Sequence, residues 1–153
     1  MVLDMSAFLL DEKHICQCDN NFIFYGNQSS IDEAVCQICN PNDQLLIDLS
    51  KIPDHICKIV ICLTIYDTGR RYTFIQFRNI MILLSWLNNK FDENGEAFLK
   101  YCIDEKFSEE TVVLACEFYR NHDKWMFKWI GEGYKGCFEN LIVDYGLNLK
   151  GGN

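Results

Sequence analysis

A chain of 153 residues with 49% hydrophobic content suffices for one domain with a sizeable core, and is short for two domains of ordinary size. Its 14 Lys and Arg against 22 Asp and Glu leave a formal charge of −8, which excludes a broad phosphate-tracking surface for nucleic acid and favours cations or basic partners. Nine cysteines, an odd number spread through apolar segments, fit reduced and buried thiols, Cys57, Cys62, Cys102 and Cys116 among them, better than a disulfide framework.

The first element is the run Leu3-Asp4-Met5-Ser6-Ala7-Phe8-Leu9-Leu10, a core strand over 5–10 preceded by one acid. It has no basic flank and Asp4 stands among its apolar residues, so it makes a poor signal peptide. Further strands are expected over 22–25, 34–38, 44–49, 58–66, 77–87, 97–102, 112–119 and 125–130. Turn residues separate them at 26–27, 40–43, 67–69, 88–89, 94–95 and 121–123. This succession of strands and short polar turns predicts a mainly β protein, a β-sandwich rather than a βαβ fold.

In Trp125-Met126-Phe127-Lys128-Trp129 the three aromatics alternate and so share one face of a strand. They read as sheet core, because a base-stacking platform needs surrounding positive charge as well as rings. Beyond Gly131 to Gly136, the helical spacing of Phe138, Leu141, Ile142 and Tyr145 predicts one short amphipathic helix ended by Gly146 and packed on the sandwich. The apolar runs 59–65 and 80–87 fall far short of the ~18 residues a membrane span requires. The expectation is a cytoplasmic protein without direct membrane insertion.

Nothing in the chain assembles an enzyme. His14, His55 and His122 all fall in expected turns, and no Ser/His/Asp or Cys/His pairing has a supporting motif. The acidic pairs Asp104-Glu105 and Glu109-Glu110 and the basic pair Arg70-Arg71 read as solvated loop charge. The glycines from Gly131 to Gly136 lack the Lys-Ser/Thr ending of a phosphate-binding loop.

Seven segments taken together, LDMSAFLL (3–10), FIFYGN (22–27), IDLSKIPDHICKIVICLTIYD (47–67), FIQFRN (74–79), FSEETVVLACEFYR (107–120), WMFKWIGEGYKG (125–136) and LIVDYG (141–146), resemble the TerD family in order and spacing. That resemblance implies a single TerD-like β-sandwich domain over 1–153, in which the leading strands usual ahead of the first motif are lacking. A sheet edge left open in this way is a route to homo-oligomers.

The resemblance also implies a non-catalytic module of the tellurite and chemical-damage stress response, working with other stress-response proteins and binding Ca²⁺ through acidic loops at one end of the sandwich. The acids retained are Asp4, Asp43 and Asp67, which with Asn42 and backbone carbonyls make up the implied ligand set. Val2 stands where the family's paired-aspartate motif has its first acid, and Pro41 and Asn42 stand where aspartates are usual. Two alternatives remain open. One is a scaffold of the same fold that binds partners without metal. The other is a zinc module held by Cys16, Cys18, Cys36 and Cys39, which needs strands 22–25 and 34–38 to pair as a hairpin that carries Cys18 and Cys39 to one end.

Overall fold

The computed structural model describes residues 2–38, 44–66, 80–85, 97–103 and 110–148. Its strands are β1 (Val2–Leu10), β2 (Phe22–Ile23), β3 (Val35–Ile38), β4 (Gln44–Ile47), β5 (Lys58–Tyr66), β6 (Ile80–Ser85), β7 (Ala97–Ile103), β8 (Val112–Asn121) and β9 (Lys124–Gly133), followed by one helix, α1 (Phe138–Asp144). Five strands form an antiparallel sheet in the order β2-β1-β5-β8-β9, while β3 pairs with β4 and β6 pairs with β7. The mainly β architecture with a short terminal helix agrees with the pattern of the sequence.

The apolar run of β1 is continuous because both of its faces are covered. Ala7 and Leu9 project to one side, with Ile59, Ile61, Leu63 and Ile65 of β5, into a largely aliphatic core that also takes Val35 of β3 and Val113 and Ala115 of β8. Ile82 of β6 and Leu45 and Ile47 of β4 pack against this same core, so the two small hairpins cover that face. Phe8 and Leu10 project to the other side and meet Val60, Cys62, Phe22 and the helix residues Phe138 and Leu141. This second core is aromatic: Phe8 stacks on Phe22 with centroids 4.5 Å apart, and Phe22 on Phe24 at 4.4 Å. Burying each large side chain contributes roughly 1.5–3 kcal/mol relative to exposure, which makes the β1/β5 ladder the backbone of both cores.

Two bulges adjust the sheet. The β5/β8 register slips between Ile61 and Cys62, leaving Ala115 as the extra residue, and the β8/β9 register slips between Leu114 and Cys116. Gly131 supplies the left-handed backbone (φ +63) at the second slip. The expected 121–123 turn tightens to His122-Asp123 between the paired residues Asn121 and Lys124, with His122 at φ +58. On β9, Trp125, Phe127 and Trp129 pack half-buried against the aliphatic core, while Met126 and Lys128 are exposed, as their alternation predicts.

Other expectations needed correction. The strand expected over 22–25 ends at Ile23, because Phe24 and Asn27 exchange backbone hydrogen bonds of 3.0 Å across a tight Tyr25-Gly26 turn. The strand expected over 44–49 ends at Ile47, because the Asp48 carboxylate accepts from the Ser50 amide (3.1 Å) and hydroxyl (2.6 Å) and caps a 3-10 turn. The pairing of 22–25 with 34–38 does not form: β2 joins β1, and β3 lies between β4 and the segment around Gln28 and Ser30, with Gln37 N donating to Gln28 O at 2.7 Å. Parts of the strand expected over 77–87, the turns at 40–43, 67–69, 88–89 and 94–95, and Arg70-Arg71, Asp104-Glu105 and Glu109 lie outside the described residues.

The helix matches its expected span. Gly146 at φ +86 donates to Val143 O (2.8 Å) and Leu147 to Ile142 O (3.1 Å), the paired bonds of a left-handed C-terminal cap. Cys16 N donates to Tyr145 O at 2.8 Å and so ties the helix end to the loop after β1.

Candidate functional site

The two ends of the β1/β5 ladder differ in chemistry. At one end Asp4 pairs in register with Thr64, two residues before Tyr66 closes β5 opposite Val2. Asp4, Ser6 and Thr64 share a face, since Ser6 is opposite Cys62 and alternation repeats every second residue. Thr64 is 3% exposed and Ser6 2% exposed, and the Ser6 hydroxyl has no hydrogen-bond partner, an uncommon state for a buried polar atom.

On the neighbouring β3/β4 hairpin, Gln37 occupies a core-facing position and is 6% exposed. Its amide nitrogen crosses to donate 2.7 Å to Met5 O, while its own carbonyl oxygen is buried without a donor. One residue later Ile38 pairs with Gln44, and residues 39–43 between them lie outside the described residues.

Of the residues proposed from sequence for calcium, Asp4 is half-buried in β1, while Asn42, Asp43 and Asp67 lie outside the described residues. Among the described residues no group of three or more His, Cys, Asp or Glu side chains is close enough to hold a metal ion.

The cysteine set does not gather among the described residues. Cys16 is 1% exposed in the aromatic core, with its Sγ donating to Cys18 O at 3.5 Å, whereas Cys36 lies on β3 with its Sγ 3.4 Å from Glu33 O and 3.5 Å from Ser29 Oγ. Cys39 lies outside the described residues. Burial, with the nearby Cys18 second, pushes the Cys16 thiol up to about 12, so it resists forming the thiolate that zinc requires. Burial likewise pushes Cys116 up to about 12 and raises Cys62. Cys16, Cys18, Cys36, Cys57, Cys62, Cys116 and Cys137 are free thiols. Cys62 and Cys116 are buried as expected, but Cys57 is only partly covered.

The far end of the ladder is finished by Arg120 and Asp11. The Arg120 Nε donates to Ile56 O (2.8 Å), its Nη2 donates to Ile52 O (3.1 Å) and Pro53 O (3.2 Å), and its guanidinium lies 4.3 Å above the Trp125 ring. The Asp11 carboxylate accepts from Lys13 N (2.9 Å), Ile15 N (3.0 Å) and the Gln17 amide (2.8 Å). These bonds, that from Ile15 foremost, hold its carboxyl below the usual value. His14, His55 and His122 sit in turns, as the sequence indicates.

Gln37, Ser6 and Arg120 escaped the sequence reading. A glutamine at the inward position of a short alternating strand was the available signal for Gln37; Arg120 carries none, because its acceptors are carbonyls more than sixty residues away.

A five-stranded antiparallel sheet covered on one face by two strand pairs and on the other by a short helix defines the class as a mainly β, sandwich-type domain. The sequence profile of the TerD domain matches residues 1–145, and this chain belongs to the TerD family. It is 35% identical to "General stress protein 16U" of Bacillus subtilis (strain 168), over 96% of this chain and 78% of that protein. It is 34% identical to "Tellurium resistance protein TerD" of Serratia marcescens, over 97% of this chain and 79% of that protein. A crystal structure described as a homologue of telluride resistance protein (TerD), SCO6318 from Streptomyces coelicolor A3(2), superposes with a TM-score of 0.68 at 16% identity, over 92% of this chain and 83% of that one, and shows the same fold. Among the described residues, no helix is long and apolar enough to cross a membrane.

Proposed function

We propose that this TerD-family chain is a non-catalytic, calcium-binding interaction module of the stress and tellurium-resistance type that its relatives' names describe. The observation that carries the reading is the hydrogen bond from Gln37 to Met5 O. It ties β3 to β1 one residue from Asp4, and in the sequence Asn42 and Asp43 follow between β3 and β4. Asp67 follows Tyr66, the last residue of β5, at this same end of the ladder. Asp4, Asn42, Asp43 and Asp67 would hold the ion, which when bound supplies positive charge that neutralises the acids and fixes the loops carrying them. Partners then read a surface that differs between the two states, since an ion shifts a population only by its differential affinity. The absence of a catalytic constellation in the sequence supports the non-enzymatic reading, and the absence of a membrane-length apolar run supports a cytoplasmic location.

Calorimetric titration of metal-free protein with Ca²⁺ tests this. A saturable heat that disappears in Asp67→Ala and in Asp4→Asn is the expected result; heat unaffected by both changes, or none at all in the folded wild type, would overturn it.

The metal-free scaffold is favoured by one separate observation. β1 pairs with β5 along nine residues but with β2 only at Ala7 and Phe8, so among the described residues its outer edge has no strand beside Leu3 to Met5. Pairing of that edge with another copy or a stress-response partner would complete the sheet. Native mass spectrometry showing only monomer, with and without Ca²⁺, would remove the self-association form of this reading.

A further inference from the structure

The loop that leaves β1 carries two cysteines separated by one residue, and they differ in exposure: Cys16 is 1% exposed within the aromatic core, whereas Cys18 is exposed. Cys18 has extended backbone, with φ −150 and ψ 161. Where a chain is extended, alternate residues project to the same side with Cα atoms about 6.6 Å apart, inside the ~4.4–6.8 Å that a disulfide spans. The Cys16 Sγ already turns along the chain toward its neighbour and donates to Cys18 O at 3.5 Å. Cys18 also lies near enough to contribute, after burial, to the rise of the Cys16 thiol. Of the other free thiols, Cys137 donates to Asn140 Oδ1 at the start of α1 and Cys36 lies on β3, so Cys18 is the one that the chain itself holds beside Cys16.

Cys16 is also the joint between this loop and the helix. Its amide donates to Tyr145 O at 2.8 Å, and its side chain belongs to the same core as Phe8, Phe22, Phe138 and Leu141. Its neighbour Ile15 lies against Gly146. A change that draws the Cys16 sulfur out of the core is therefore felt first at the end of α1.

We propose that Cys16 and Cys18 form a reversible redox latch: a hydroperoxide oxidises Cys18, Cys16 leaves the core to close a Cys16–Cys18 disulfide, and the end of α1 is released. In the first step the Cys18 sulfur takes the terminal oxygen of the hydroperoxide, the O–O bond breaks, and an alcohol leaves (water, for hydrogen peroxide), which yields a sulfenic acid. In the second the Cys16 sulfur attacks the Cys18 sulfur, the S–S bond forms, the S–O bond breaks, and hydroxide departs with the Cys16 proton as water. Two thiols lose two electrons and two protons in all, and the hydroperoxide is reduced to alcohol and water. A ring closed over one intervening residue is strained, so thiols reduce it readily, as a switch requires and a structural staple does not. The latch uses none of the proposed calcium ligands and stands or falls independently of that reading.

The test treats the full chain, without added Ca²⁺, with a small excess of hydrogen peroxide, alkylates it under denaturing conditions and cleaves it after Lys13 and before Asp19. The peptide that holds both cysteines should have lost two hydrogens and gained no alkyl group, and dithiothreitol should restore two alkylatable thiols. Hydrogen exchange in the oxidised protein should quicken by about tenfold or more at Cys16 and from Leu141 to Leu147, and return on reduction. Cys18→Ser, at an exposed position, should leave the fold intact and abolish both the disulfide and the peroxide-dependent change in exchange. No oxidation of Cys18, oxidation that stops there with Cys16 still alkylatable, or pairing of either thiol with another cysteine would overturn the proposal. So would a Cys16–Cys18 disulfide that leaves exchange in α1 unchanged, or a change that persists in Cys18→Ser.

Discussion

At the Leu10–Lys58 end of the β1/β5 ladder almost every polar group has a named partner, whereas at the Asp4–Thr64 end buried oxygens are left without one. At the first end, Asp11 closes the turn after β1 with three accepted hydrogen bonds, and Arg120 gathers the carbonyls of Ile52, Pro53 and Ile56. At the second, Ser6 Oγ and Gln37 Oε1 are buried and unpartnered, and the Gln37 amide hydrogen-bonds β1 to the β3/β4 hairpin. Both ends rest on the same two cores, so the contrast lies in how the strand ends are completed rather than in how the middle is packed. A fully satisfied end is a structural anchor with a preformed surface. An under-satisfied end leaves buried oxygens without donors, an uncommon state in a packed core.

The largest expected effect removes the support common to both ends. Phe8 is fully buried and stacks between Phe22 and the helix, so Phe8→Ala should destabilise the fold by about 3–5 kcal/mol, read by urea denaturation. Hydrogen exchange should then quicken at both ends alike; faster exchange at one end only would show that the ladder is not the shared support.

Next in size is Arg120→Met, which keeps an apolar stem over Trp125 but strips three carbonyls of their donor. A loss of about 2–3 kcal/mol is expected, with exchange quickened first around Ile52 to Cys57 and not around Asp4. Equal quickening at the Asp4 end would collapse the distinction between the two ends.

Gly146→Ala should cost about 1–2 kcal/mol, measured by thermal melting, because φ is +86 there and the new Cβ would lie 2.8 Å from Ile15 Cγ2. Its effect belongs to the helix cap and should leave the ion response of the Asp4 end unchanged.

The smallest effect is on pH dependence. The Asp11 carboxyl is held below its ordinary value of 3.8 by the amide of Ile15, then by Gln17, so folding favours its charged form. Its stabilisation is present above that ordinary value and is lost as pH falls through the lower folded value. The stability difference between wild type and Asp11→Asn should therefore be constant at neutral pH and shrink on acidification; a difference that grew as pH fell would reverse the assigned sign.

Much of the sheet was legible because periodicity reports burial directly. The strand over 58–66 was located to the residue, since alternating large aliphatics of β5 fill two cores at once. The helix was legible as well, because Phe138 and Leu141 repeat on one face and glycine stops it. Strand ends were less legible where a local bond competes with the ladder: Asp48 caps a 3-10 turn, and the Phe24–Asn27 turn cuts β2 short. The hairpin that the cysteine alternative requires was not legible either. Strand partners are not encoded in local spacing, and β2 pairs with β1 and stacks Phe22 on Phe8 instead of pairing with 34–38.

By itself the sequence determined the fold class, the covering helix and the aromatic face of β9, because each depends on residue types repeated at a fixed local period, and the family through the resemblance of seven ordered segments. Only the tertiary structure decided which strands are neighbours, that Gln37 reaches Met5, that Arg120 serves carbonyls across the fold, and that Lys58 and Lys128 flank one glutamate. Those facts depend on contacts between residues far apart in the chain, and the balance of burial and hydrogen bonding that selects among them exists only once the two cores have closed.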